Sequence, residues 1–246
     1  MAVQRISVLG VPVDVLLPQD VESEVLKLLD TPGTKQIVFM TIWDLLHARG
    51  KNDYAQCVRE ADLVIPVSKS ILRGAKFLQK TVPVRYNPFN AVISILTVLE
   101  NHYKSLYILG GRKKSLMAAE RNVRTTFRNL QIVGRYVGYY PKSVEDDVVQ
   151  AIHKASPSLV LVSDGPREKD CWSYNRRDKF STSIFLYYHD AVGVFSERIR
   201  RVDEKIFDRG LEIWHEIFRN PLKIFLLFPY IWYIILLLVY RIFKKS

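Results

Sequence analysis

The chain has 246 residues, of which 48% are hydrophobic, and a formal net charge of +11 at pH 7. That length and apolar content can bury a sizeable core, and the surplus of cations calls for an anionic partner: a phosphorylated substrate, nucleic acid or an acidic membrane surface. The two cysteines, Cys57 and Cys171, form no CxxC and the five histidines show no HExxH spacing, so neither a disulfide framework nor a zinc site is readable.

Residues 6–15 alternate apolar and polar around Gly10-Val11-Pro12, which predicts a small hairpin. Pro18-Gln19-Asp20 opens a helix that places Val21, Val25, Leu28 and Leu29 on one face. Residues 36–40 read as a strand ending at Thr41, 42–49 and 53–61 as helices, and 62–66 as a second strand that runs into Val67-Ser68-Lys69. A helix over 71–79, a proline-punctuated loop carrying Arg85, and a helix opening at Pro88-Phe89-Asn90 follow.

The organising unit is 105–128. Leu106-Tyr107-Ile108-Leu109 is an unbroken apolar run, Gly110-Gly111 breaks it, Arg112-Lys113-Lys114 follow, and from Ser115 the pattern turns helical. A buried strand entering a helix through a glycine turn is the repeating unit of an open α/β sheet, whose ligands sit at the carboxyl ends of the strands. Backbone N–H groups at the two glycines are expected to face an anion such as a diphosphate, although no full P-loop or GxGxxG spacing is present. Arg121, Arg124 and Arg128 fall at i, i+3 and i+7 and are expected to share one basic helical face.

Residues 130–137 form the next strand, ending in Gly138-Tyr139-Tyr140-Pro141. Ser143 with Asp146 predicts a capping box, and Glu145, Asp146 and Asp147 load the first helical turn with negative charge. Strands over 158–162 and 183–188 lead to Ser163-Asp164-Gly165-Pro166 and His189-Asp190. Strands alternating with helices predict an α/β, Rossmann-like, largely parallel sheet covered on both faces.

From 197 to 220 the sequence is charged and helical, and 224–240 carries no charge. A run of that length spans about 25 Å as a helix against a hydrocarbon core of roughly 30 Å. With Pro229 inside it, a re-entrant or in-plane anchor is expected rather than a straight span; a buried core helix is the competing reading. Phe228, Trp232, Tyr233 and Tyr240 are the expected membrane-contacting side chains. The division is 1–196 core, 197–221 helical appendage and 222–246 anchor. The start of the chain shows no cleavable signal, which places the bulk on the cytoplasmic face of the membrane as an expectation.

In order and spacing these pieces resemble the WecG/TagA/CpsF glycosyltransferases, glycosyltransferase family 26. The matching landmarks are Leu9-Gly10-Val11-Pro12-Val13-Asp14, Ala61-Asp62-Leu63-Val64-Ile65-Pro66, Leu109-Gly110-Gly111, Gly138-Tyr139-Tyr140, Gly165-Pro166 and Arg219-Asn220-Pro221. The resemblance implies a Rossmann-like core and transfer of an N-acetylmannosamine-type sugar from a UDP donor to a polyprenyl-diphosphate-linked acceptor, with inversion, without a metal and without a cofactor. On that resemblance Thr41, Arg85, Asn90, Gly110, Gly111, Gly138, Tyr139, Gly165 and Glu168 are donor-binding candidates, and Arg201, Arg209 and Arg219 are candidates for the acceptor diphosphate.

The chain departs from the family pattern at several places. Trp43 stands for an Asn and Pro88-Phe89-Asn90 for Gly-Thr-Asp, while Val67 occupies the position of the family's general base. Valine accepts no proton, so Asp164 and Asp190, at strand ends, are the candidate substitute bases, with Asp44 third. Three functions stay open: an active transferase with a shifted site, a catalytically silent relative acting as a membrane-bound scaffold or regulator of glycan assembly, and a basic nucleic-acid binder, for which no RRM, KH or helix-turn-helix pattern appears. An oligomer or a glycan-synthesis partner is expected beside the substrates and membrane lipid.

Overall fold

The computed structural model describes residues 3–201, 207 and 227–243. Eight strands and their helices follow the order β1 (Gln4–Val8), β2 (Val11–Val15), α1 (Val21–Asp30), β3 (Lys35–Met40), α2 (Ile42–Ala48), α3 (Asp53–Glu60), β4 (Leu63–Pro66), α4 (Lys69–Phe77), α5 (Pro88–Asn101) and β5 (Ser105–Leu109). The chain continues through α6 (Lys113–Thr126), β6 (Gln131–Tyr136), α7 (Glu145–Ala155), β7 (Leu159–Val162), α8 (Cys171–Tyr174), β8 (Ile184–Tyr187) and α9 (Ala191–Phe195), and a C-terminal helix covers Leu227–Phe243.

Six strands form a parallel sheet in the order β4-β3-β8-β7-β5-β6, and β1 pairs antiparallel with β2 as the expected hairpin. Period-2 alternation explains why the sheet is covered on both faces. Ile37, Phe39, Leu63, Ile65, Leu106, Ile108, Leu159 and Leu161 point to the layer built by α1, α5, α6 and α9. The residues between them divide the other face: Val38, Met40 and Val64 meet the hairpin, α2, α4 and the C-terminal helix, whereas Tyr107, Leu109, Val160 and Val162 meet α7 and the Trp172 region. The hairpin is held by the buried carboxylate of Asp14, which takes a bidentate pair from Arg5 at 2.7 and 2.8 Å and the Val64 N–H at 2.6 Å. Three donors satisfy a carboxylate that would otherwise be costly to bury.

Three local expectations change. Pro141 leads into a 3-10 turn over Lys142–Val144, so α7 starts at Glu145 with Val144 as its cap and no side-chain capping bond. Ser143 lies inside the turn, and the Ser143–Asp146 capping box does not form. Helix α6 ends at Thr126, where Phe127 turns into the core, so Arg128 leaves the helical face of Arg121 and Arg124; Arg124 in turn pairs with Glu120 at 3.0 Å. Lys113 and Lys114 belong to the first turn of α6 rather than to the loop before it.

In the C-terminal helix, Tyr233, Leu236 and Leu237 are buried against the body, while Phe228, Ile231, Trp232, Ile235, Leu238, Val239 and Ile242 are exposed. The Tyr233 hydroxyl donates to the Ser70 carbonyl at 2.9 Å and sits where Gly74 has no Cβ. Tyr240 is half-buried, under the Arg49 guanidinium at 5.6 Å. Tyr233 is therefore an inward-facing latch and not a lipid-facing side chain, Tyr240 leans on the body, and Phe228 and Trp232 face outward. Among the described residues no helix is long and apolar enough to cross a membrane.

Candidate active site

From β5 the chain moves outward to β6, and from β7 it returns inward to β8, although β5 and β7 are neighbours. This reversal of direction makes the carboxyl ends of β5 and β7 the topological switch point, the place where open α/β sheets hold ligands. The loops that meet there carry Gly110-Gly111, Gly138-Tyr139 and Ser163-Asp164-Gly165.

The glycines allow three backbones to touch. A Cβ on Gly138 would lie 2.2 Å from the Asp164 carbonyl oxygen, and one on Gly165 would lie 2.4 Å from the Gly138 backbone. Gly110 donates its N–H to Tyr136 at 3.0 Å and Gly111 donates to Asp164 at 2.7 Å. Both N–H groups expected to face an anion are spent on protein carbonyls, so the glycine pair acts here through close approach.

Asp164 is the carboxylate this junction presents. It is 8% exposed, accepts the Tyr139 hydroxyl at 2.9 Å and lies 3.3 Å from the Ser163 hydroxyl. Its backbone N–H reaches the His189 carbonyl at 3.1 Å, and Ser163 Oγ donates to the same carbonyl at 2.7 Å while accepting the Val192 N–H at 3.1 Å. Asp190 is the next residue; it stands at the start of α9, half-exposed and without a side-chain capping bond. The two candidate bases thus occupy adjoining loops. The hydrogen bond to Asp164 raises the Tyr139 phenol above its usual range, against the opposing charges of Arg112 and Arg198. Arg198 was not singled out in the sequence; its place beside Tyr139 follows from the loop after α9.

The other half of the rim is built differently. Thr41 caps α2 and forms a capping box with Asp44, whose carboxylate takes the Thr41 N–H at 3.1 Å, so Asp44 is committed to the helix start. The Ile42 N–H donates to Ser68 Oγ at 3.2 Å and joins the ends of β3 and β4. Val67 is buried, and its carbonyl accepts Arg85 Nε at 2.8 Å. The Arg85 guanidinium lies 3.5 Å from the Phe207 ring centroid and donates to the Phe207 carbonyl. Asn87 caps α5, accepting the Phe89 N–H at 3.0 Å, with Asn90 exposed in the first turn. Arg201 stacks on Phe89 at 4.2 Å and is exposed. Val67 and Asp164 end strands three steps apart in the sheet, roughly 14 Å at normal strand spacing. Asp164 therefore does not stand in the place Val67 has vacated.

Of the other candidates, Glu168 is held by Arg176 at 3.0 Å and Asn175 at 2.8 Å, and the Arg176 hydrogen bond keeps its carboxyl below the usual range. Arg209 and Arg219 lie outside the described residues. Among the described residues no cluster of three or more His, Cys, Asp or Glu side chains is arranged to hold a metal. A cleft of about 200 Å³ lined by Lys104, Ser156, Ser158 and Thr182 opens at the amino ends of the strands, away from these groups.

The model of the glycosyl transferase WecG/TagA/CpsF family matches residues 6–246. The chain belongs to that family. As a WecG/TagA/CpsF member it is a glycosyltransferase-family protein with a Rossmann-like fold, and its topological switch point is the candidate place for a nucleotide-sugar donor.

Proposed function

We propose that this protein is a membrane-associated glycosyltransferase that moves an N-acetylmannosamine-type sugar from a UDP donor to a polyprenyl-diphosphate-linked acceptor in cell-surface glycan synthesis. The observation that carries the reading is the switch-point junction, where a buried carboxylate, Asp164, is held by Tyr139 beside Arg112 and Arg198. A carboxylate at that place can accept the proton of an acceptor hydroxyl as the new glycosidic bond forms, while cations stabilise the departing nucleoside diphosphate. The transfer inverts the anomeric carbon in one displacement and takes its charge stabilisation from Arg side chains rather than a metal.

The exposed apolar face of the C-terminal helix supports docking on a lipid surface: Phe228 and Trp232 on that face are 67% and 54% exposed. Arg201, with Arg209 and Arg219, is assigned to the acceptor diphosphate. A second reading rests on Val67: with no acid at that position and Arg85 tied to its carbonyl, the chain is a silent relative that scaffolds glycan assembly.

Incubation of the full chain with UDP-sugars and a polyprenyl-diphosphate-linked sugar tests the first reading. Product formation is expected; donor binding by calorimetry without turnover would instead establish the silent relative. Flotation with anionic vesicles tests the membrane assignment. The full chain is expected to float and the Phe228→Ser/Trp232→Ser variant to remain in solution with an unchanged melting temperature. Equal flotation of the two would overturn that assignment.

A further inference from the structure

We propose that Cys57 and Cys171 form an oxidisable dithiol, a modification site at which a peroxide converts the two thiols into a disulfide that joins α3 to α8. Cys57 lies on α3 and is fully buried, whereas Cys171 begins α8 and is partly exposed, and both are free thiols. The helices pack on each other, and the thiols are close enough that each acts directly on the ionisation of the other.

The interior around the pair holds polar atoms with nothing to bind. Asp170 Oδ1 and the Tyr54 hydroxyl are buried and have no hydrogen-bond partner among the described residues, and Tyr54 senses both cysteines and Asp170. Burial raises the Asp170 carboxyl well above its usual range.

The asymmetry of the pair assigns the roles. Cys171, which a peroxide can reach, has its thiol lowered by the contact with Cys57, against burial and the charges of Asp53 and Glu168. Cys57 is raised by that same contact, by burial, and by Asp170 and Glu60. The thiolate is the nucleophile and the exposed member of a pair reacts first. The Cys171 thiolate attacks the O–O bond of the hydroperoxide, forming an S–O bond and, with one proton, releasing water or an alcohol. The Cys57 sulfur then attacks the Cys171 sulfenic acid: the S–S bond forms, the S–O bond breaks, and the departing hydroxide takes the Cys57 proton and leaves as water. In a reducing compartment such a bond is transient, as a sensor requires. Because α8 follows directly on the loop from Asp164 to Asp170, the bridge would tether that loop to the β3–β4 crossover. The proposal stands apart from the sugar-transfer reading.

The test is decisive because the chain has only two cysteines. The reduced full chain is titrated with hydrogen peroxide and read by intact mass and thiol alkylation without reductant. The expected product is a monomer lighter by two hydrogens with both thiols unavailable, reversed by dithiothreitol, and melting higher by roughly 5 °C. Cys57→Ala should accumulate a sulfenic acid on Cys171 that a cyclic diketone traps, and Cys171→Ala should leave Cys57 unmodified over the same period. Two alkylatable thiols after oxidation, or disulfide-linked dimers in place of the internal bond, would overturn the proposal on the natural chain alone, whatever the folding of the variants.

Discussion

At the carboxyl ends of β5, β6 and β7 the chain omits side chains so that three loops touch, whereas at the ends of β3 and β4 it fills the same layer with Trp43, Val67, Arg85 and Phe207. The first half keeps a buried acid and stitches it through backbone hydrogen bonds. The second half, where the family pattern carries its acid, closes with a cation lying on an aromatic ring. Fold and chemistry are thus maintained by different residues: the glycines keep the three loops in contact whether or not an acid stands at the end of β4.

The comparison breaks first on the acids. Asp164→Asn is expected to lower kcat between a hundredfold and ten-thousandfold, roughly 3 to 5 kcal/mol of barrier, with a smaller change in KM. Val67→Asp, which restores a carboxylate beside Arg85, is expected to leave turnover at the natural level. A rise on Val67→Asp with no loss on Asp164→Asn would move the chemistry to the β4 end. Next comes the junction itself. Gly138→Ala forces a methyl to 2.2 Å from the Asp164 carbonyl and is expected to destabilise by about 3 kcal/mol in urea denaturation. An unchanged midpoint would mean that the loops are not held in contact.

A smaller effect belongs to Tyr139→Phe, which removes the hydrogen bond to Asp164. A loss of about 1 kcal/mol is expected in urea denaturation. An unchanged midpoint would detach Tyr139 from the junction. The smallest effect sharpens the loop that carries both Asp164 and Asp170. The Glu168 carboxyl is lower in the folded protein than its ordinary 4.5, so its contribution is present above that pH and disappears as pH falls through the lower folded value. Glu168→Gln should therefore reduce stability slightly at pH 7 and flatten its decline below pH 4.5; equal slopes for both proteins would remove the Arg176 clamp from the account.

The sheet was legible because buried strands leave unbroken apolar runs between turn residues, and Leu106-Tyr107-Ile108-Leu109 is one of them. The glycines were legible as turns, but their use was not. Gly110, Gly138 and Gly165 are far apart in the chain, and only the strand order brings them together. The capping signal of Ser143 and Asp146 was overridden by the turn that Pro141 starts, and the arginine row was cut short where Phe127 found the core. Composition marked the tail as apolar without saying which face turns inward. It was Gly74, an unremarked glycine within α4, that decided this by leaving room for the Tyr233 ring. The same limit hid the meeting of Cys57 with Cys171, whose wide separation in the sequence argued against any pairing.

The seat of Tyr233 on Gly74 has a geometric consequence. Helix α4 begins at Lys69, immediately beyond the end of β4, and its nine residues measure about 13 Å. On the lipid-docking proposal, the outer helix, keyed to the middle of that strut, sets the carboxyl ends of β3 and β4 at a fixed height above the flat surface that Phe228 and Trp232 enter. A substrate confined to that plane would meet the protein at one depth, and a bulkier residue at position 74 would change the depth before it changed the chemistry.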